Sequence, residues 1–233
     1  MSKVIVALDT SDRMIARSTV DELASFRPWF KIGKELFVSH GQKIVEDVVS
    51  AGAHVFLDLK FHDIPNTAAQ ATRAAAELGV RMVNVHASGG RTMMEAAANA
   101  LKDISNPPLL IAVTVLTSMG ADELREVGIE APLEQHVLRL ATLAKESGLN
   151  GVVCSAREVR LIKEHLGEDF LTITPGIRPA WSTTDDQTRI TTPADAVKLG
   201  TDFMVIGRPI TKHKRPQEGY ALIQEEIDAA LRG

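Results

Sequence analysis

Short apolar runs rich in β-branched residues recur eight times along this chain, and each is followed by a segment with apolar residues at helical spacing. The strand-like runs are Val4–Leu8, Trp29–Gly33, His54–Leu59, Arg81–His86, Leu109–Val115, Gly151–Cys154, Leu171–Thr174 and Phe203–Ile206. The helical segments are Val20–Leu23, Ile44–Val49, Thr67–Leu78, Met93–Leu101, His136–Ala144, Glu158–Leu166, Ala194–Leu199 and Tyr220–Leu231. Gly52, Gly79, Gly148, Gly167 and Gly200 stand near helix ends, where a C-terminal glycine cap belongs. Eight strand–helix units of about 29 residues predict an α/β fold, a single-domain (β/α)8 TIM barrel over residues 1–233. A doubly wound open sheet is the competing architecture, because periodicity does not report closure. A 45% hydrophobic, 24% charged composition supplies the large core that either fold needs.

The same composition excludes several classes. A net charge of −4, with no Lys/Arg run, offers nothing to nucleic acid or to a membrane surface. No apolar run is long enough to span a bilayer, and the opening MSKVIVALD enters a strand rather than a signal-peptide layout. The single cysteine, Cys154, excludes an intramolecular disulfide and a Cys-rich zinc site, and reads as core. A cytoplasmic location is therefore expected.

In a barrel, active sites lie at the C-terminal ends of the strands. Asp9, Lys31, Asp58, Lys60 and His86 fall at or near the ends of strands 1 to 4. Thr114 and Thr117 follow at strand 5, Arg178 after strand 7, and Gly207 with Arg208 after strand 8. The richest stretch is Phe56 to Thr67, FLDLKFHDIPNT. Side chains two apart on a strand share a side, so Asp58 and Lys60 are expected to face one way together. Ionisable groups in a buried strand are costly unless they pair or work. The plainest alternative is a structural ion pair plugging the barrel mouth. Asp63 by itself reads as a helix N-cap with Pro65 in the first turn, and Thr67 as an ordinary first-turn residue.

A second cluster reads as a phosphate grip. Thr174-Pro-Gly-Ile-Arg178 and Val205-Ile-Gly-Arg-Pro209 follow adjacent strands, and loops after strands 7 and 8 often bind phosphate. Arg178 and Arg208 bring forked donors, and Gly207 permits close approach to the backbone. The polar segment Pro179 to Thr192 reads either as a lid with Gln187 as a contact, or as a plain connection. Thr117-Ser118-Met119-Gly120 is another candidate cover. His86, ahead of Ser88-Gly89-Gly90, reads as a hydrogen-bonded structural residue, and His62 as facing solvent or a partner chain.

These segments together resemble the orotidine 5′-monophosphate decarboxylase family over essentially the whole chain. The resemblance lies in VALD ending at Asp9, KIGKELF from Lys31, DLKFHDIPNT from Asp58 and NVHASGG from Asn84, then TVLTSM from Thr114, TPGIRP from Thr174 and VIGRPIT from Val205. It implies a homodimeric, cytoplasmic carboxy-lyase that makes UMP and CO2 from this nucleotide in the last step of de novo UMP biosynthesis. No metal and no cofactor are implied. Lys31, Asp58, Lys60 and Asp63 would form the catalytic network, with Lys60 protonating C6 of the pyrimidine. Asp63 and Thr67 would serve the neighbouring subunit's site near the ribose. Asp9 would contact the ribose and Thr117 the pyrimidine, while Arg178, Gln187, Gly207 and Arg208 would hold the 5′-phosphate. Two alternatives remain on the same barrel. A Mg2+-dependent sugar-phosphate decarboxylase would need oxygen ligands, and relatives of that kind carry a carboxylate where Lys31 stands. A non-catalytic barrel that binds phosphorylated ligands would have little use for Lys60 between two aspartates.

Overall fold

The computed structural model describes residues 3–182 and 191–232. Its strands are β1 Lys3–Ala7, β2 Trp29–Gly33, β3 His54–Phe61, β4 Met82–His86, β5 Leu109–Val113, β6 Gly151–Val153, β7 Leu171–Thr174 and β8 Phe203–Ile206. All neighbours are parallel and follow chain order, and β8 returns to β1 through registers such as Val4↔Met204 and Val6↔Ile206. The sheet is thus closed, and the open doubly wound alternative is excluded. The helices are α1 Arg13–Leu23, α2 Lys34–His40, α3 Gln42–Ser50, α4 Pro65–Glu77, α5 Gly90–Asn99, α6 Ala121–Glu126, α7 Leu133–Glu146, α8 Val159–Leu166, α9 Pro193–Lys198, α10 Arg208–Thr211 and α11 Pro216–Arg232. Among the described residues, no helix is long and apolar enough to cross a membrane.

Alternation along the strands sorts the core into two layers. Ile5 and Ala7 of β1 point into the barrel, where they pack with Phe56, Met82, Ile111, Ile173, Phe203 and Val205. Val4 and Val6 point outward into the larger layer between sheet and helices. The eight helical segments expected from periodicity correspond to α1, α3, α4, α5, α7, α8, α9 and α11. Helix α1 begins seven residues earlier than its apolar pattern, because Asp12 caps it by accepting from Met14 N at 2.7 Å and Ile15 N at 3.2 Å. Helices α2, α6 and α10, of 7, 6 and 4 residues, are not among the segments that periodicity picks out. The five expected cap glycines all adopt positive φ.

Another lysine–aspartate pair, with Lys163 buried and Asp202 half-buried, shows what a purely structural pair looks like in this chain. Lys163 donates to Glu168 O at 2.7 Å, Phe170 O at 3.1 Å and Asp202 Oδ2 at 2.8 Å. Asp202, just before β8, also accepts from Thr172 N at 2.7 Å. All three ammonium donors are used, and the pair clamps α8, β7 and β8 at the N-terminal end of the barrel, away from the site face.

Candidate active site

The C-terminal mouth of the barrel holds a cavity of about 420 Å3. Its lining includes Asp9, Lys31, Asp58, Lys60, Thr117, Arg178, Gly207 and Arg208, drawn from strands at both ends of the sequence. Lys31 points inward because it alternates with Phe30 and Ile32, which face the helices. Its Nζ lies 2.9 Å from Asp9 Oδ1 and 3.6 Å from Asp58 Oδ2. A Cβ on Gly33 would stand 3.0 Å from that Nζ, so glycine leaves room for an ammonium held between two carboxylates. Asp58 shares the inward face with Phe56, and its side chain is 12% exposed.

Lys60 Nζ donates to Asp58 Oδ1 at 2.6 Å. The two side chains do meet, but not through the simple two-residue alternation expected of a strand. Leu57 and Phe61 are four residues apart, while their β4 partners Val83 and Val85 are two apart, so β3 carries a bulge. Lys60 sits in it with φ of +56°, a left-handed conformation that is rare for residues with a Cβ. Its backbone N–H donates to Asn84 Oδ1 at 2.8 Å, and Asn84 Nδ2 donates to Asp58 Oδ1 at 2.7 Å. Asn84 is fully buried on the inner face of β4. Sequence reasoning passed over it as a residue with a task. The available signal was one amide side chain in the apolar strand MVNVH.

Burial pushes the Asp58 carboxyl up, but the charges of Lys31 and Lys60 and the hydrogen bonds from Lys60 and Asn84 outweigh it and hold it below its ordinary value. Asp58 is therefore ionised at neutral pH. Burial first, then the electrostatic influence of His62, Lys60 and Lys34, lowers the pKa of His86 to about 4. His86 stays uncharged, and its ring packs against the exposed His62 with centroids 5.5 Å apart.

The opposite wall holds the two Gly/Arg turns. Gly176 has φ of +80°, which glycine tolerates and which lets the chain turn sharply after β7. Arg178 N donates to Thr191 O at 3.0 Å, tying this turn to the chain ahead of α9. Arg178 and Arg208 also border a second cavity of about 390 Å3, whose other lining includes Lys212, His213 and Lys214. Between the lysine array and this basic rim, Val113, Val153, Ile173 and Val205 form apolar walls. Charges there act through less screening than in water.

Three expected placements need correction or separation. Thr114 is buried, and its hydroxyl donates to Val153 O at 3.0 Å, so it ties β5 to β6 instead of lining the cavity. Asp63 is not an N-cap. Helix α4 starts at Pro65 with Ile64 at the cap position, and among the described residues the Asp63 carboxylate accepts only from Ile64 N, at 2.7 Å. Asp63 and Thr67 are exposed and lie outside the cavity of their own chain, beside Ile64, which is 67% exposed. Gln187 lies outside the described residues.

A sequence model of the Orotidine 5′-phosphate decarboxylase / HUMPS family matches residues 2–223. An orotidine 5′-phosphate decarboxylase of Chromobacterium violaceum is 55% identical over 230 residues, which cover 99% of this chain and 93% of that protein. The protein of the same name from Vibrio cholerae is 53% identical over 230 residues, 98% of each chain. The crystal structure of orotidine 5′-phosphate decarboxylase from Lactobacillus acidophilus is 39% identical, with a TM-score of 0.87 over 98% of this chain and 100% of that one. The Methanocaldococcus jannaschii enzyme, complexed with inhibitor BMP, is 23% identical and shares the fold, with a TM-score of 0.80 over 98% and 99% of the two chains.

Proposed function

We propose, for a chain that belongs to the orotidine 5′-phosphate decarboxylase / HUMPS family, that it converts orotidine 5′-monophosphate to UMP and CO2 without a cofactor. In this reading residues 1–233 form one barrel domain, which works in the cytoplasm as a homodimer in the last step of de novo UMP biosynthesis. The observation that carries the reading is the Lys31–Asp58–Lys60 array, at 3.6 and 2.6 Å, facing a cavity whose far rim holds Arg178 and Arg208.

Loss of CO2 from C6 leaves an electron pair in the plane of the pyrimidine, where the ring π system does not accept it. The site must stabilise that carbanion directly. An ammonium at C6 does so electrostatically and then supplies the proton. Among the described residues, Asp58 is the one acceptor for the Lys60 ammonium, which leaves two N–H groups for the substrate side. Lys31 offsets the surplus negative charge and reaches Asp9, the proposed ribose contact. Asp58 would face the substrate carboxylate. Two like charges about 4 Å apart at an effective dielectric of ~20 repel by about 4 kcal/mol, roughly three powers of ten. Enzymes lower barriers by roughly 8–23 kcal/mol, so this repulsion falls short by itself. Lys60 and binding energy from the remote phosphate supply the rest. Thr117 would border the pyrimidine, and Gln187 would join Arg178, Gly207 and Arg208 around the phosphate. The exposure of Asp63 and Thr67 supports their assignment to the partner's site near the ribose.

An absorbance assay on orotidine 5′-monophosphate with EDTA present tests the reading. Turnover that persists in EDTA is expected. No turnover by the wild type overturns the assignment, and turnover abolished by EDTA reopens the Mg2+-dependent alternative. Arg208→Ala is expected to lower kcat/KM on the nucleotide about 10- to 100-fold, the cost of losing hydrogen bonds between charged groups, while leaving turnover of the unphosphorylated nucleoside unchanged. Unchanged kcat/KM on the nucleotide would remove Arg208 from the phosphate grip.

A further inference from the structure

We infer that Asn84 is a positioning residue for the reacting lysine: its amide holds the Lys60 backbone in the β3 bulge and fixes the Asp58 carboxylate against the Lys60 ammonium. The inference rests on the reading of Lys60 as the proton donor.

The bulge takes the Lys60 N–H out of the ladder with β4, between the Leu57↔Val83 and Phe61↔Val85 registers. A buried N–H without an acceptor is unfavourable, as is a left-handed lysine. Asn84 meets both difficulties, because it projects inward from β4 between those two registers and accepts from Lys60 N at 2.8 Å. A backbone N–H only donates, so this contact sets which end of the amide is the oxygen. The other end must then be NH2, and it donates to Asp58 Oδ1 at 2.7 Å. That oxygen also accepts from Lys60 Nζ at 2.6 Å, while Oδ2 lies 3.6 Å from Lys31. One amide therefore ties the backbone of the lysine to the carboxylate that orients its ammonium. Asn84 does not line the cavity and has no exposed surface, so it acts through Asp58 and Lys60 rather than on substrate.

The charged and titratable groups around it are Asp58 and Lys60 on β3, Lys31 on β2 and His86 two residues along β4, with His62 and Lys34 acting on His86. Its β5 partner, Ile111, brings no charge. An aspartate in place of Asn84 is thus a pH-dependent replica. When protonated, its C=O accepts from Lys60 N–H and its O–H donates to Asp58, as the amide does. When ionised, it repels Asp58 and has no proton to donate.

The test is the pH profile of kcat and KM for the wild type, Asn84→Ala and Asn84→Asp. Asn84→Ala is expected to lose about 10- to 100-fold in kcat, the loss typical of groups that orient a charged site, with KM within about threefold. Asn84→Asp is expected to come within about tenfold of the wild type at low pH and to lose activity as pH rises, over a range where the wild type holds steady. Wild-type kcat in both variants overturns the inference, as does a loss confined to KM or a wild-type pH profile for Asn84→Asp. A folding defect in Asn84→Ala does not decide the matter, because the near-isosteric aspartate recovers with acid only if the bonding pattern is what counts. If the wild type itself turns nothing over, the functional reading fails, and a crystal structure of Asn84→Ala decides the positioning role. Lys60 leaving positive φ and parting from Asp58 supports the role, and an unmoved pair overturns it.

Discussion

Lys60→Ala is expected to lower kcat/KM on orotidine 5′-monophosphate by about ten-thousand-fold, from loss of a proton donor and of the charge that stabilises the developing carbanion. The fold should survive. Asp58 keeps Lys31 at 3.6 Å and Asn84 at 2.7 Å, so the buried carboxylate is not stranded. Alanine bears the left-handed φ of +56° no worse than lysine, since both carry a Cβ. Binding of UMP should change far less than turnover, because the proposed phosphate contacts, Arg178 and Arg208, line the cavity from the turns after β7 and β8. The combination to look for is a collapsed kcat with a retained melting temperature and product affinity. A variant that keeps more than about a tenth of wild-type kcat/KM removes Lys60 from the chemistry.

The second large effect is recovery from mixing two inactive proteins. Asp63 is exposed, hydrogen-bonded among the described residues only to Ile64 N, and absent from the cavity that Lys31, Asp58 and Lys60 face. If it completes the partner's site, Lys60→Ala and Asp63→Ala fall on the same site of a mixed dimer. One site then carries both lesions and the other none. Random exchange makes half the dimers mixed, so a 1:1 mixture should regain about a quarter of wild-type activity. Asp63 acting within its own chain predicts no recovery. Exchange is verified independently, by native mass spectrometry of differently tagged subunits, and no recovery after verified exchange excludes the shared site.

The sequence carries most of the barrel openly. Inward and outward residues alternate cleanly in β1 and β2, so the orientation of Lys31 follows from its neighbours alone. The glycine and arginine turns after β7 and β8 were legible for the same reason, since composition and position along the barrel agree there. Legibility stops where local pattern and geometry part company. Short helices such as α10 bury too little of a face to show a period. Thr114 looks like a site residue by type, yet its hydroxyl is spent on Val153 O. Asn84 looks like a misplaced amide in an apolar strand until the bulge opposite it is seen.

The run from Phe56 to Thr67 divides along the same line. Its sequence alone determined that a carboxylate and a lysine stand at the end of a buried strand, because the two-residue period and the apolar flanks are local properties. Only the tertiary structure decided how they meet. A bulge, a left-handed lysine and an amide from the next strand bring Asp58 and Lys60 to 2.6 Å, while Lys31 arrives from the strand on the other side. Closure of β8 onto β1 is equally invisible to periodicity, since each strand's pattern reports its two faces and not its edge partners. That closure brings Arg208, near the end of the chain, into the same cavity as Asp9, near its start.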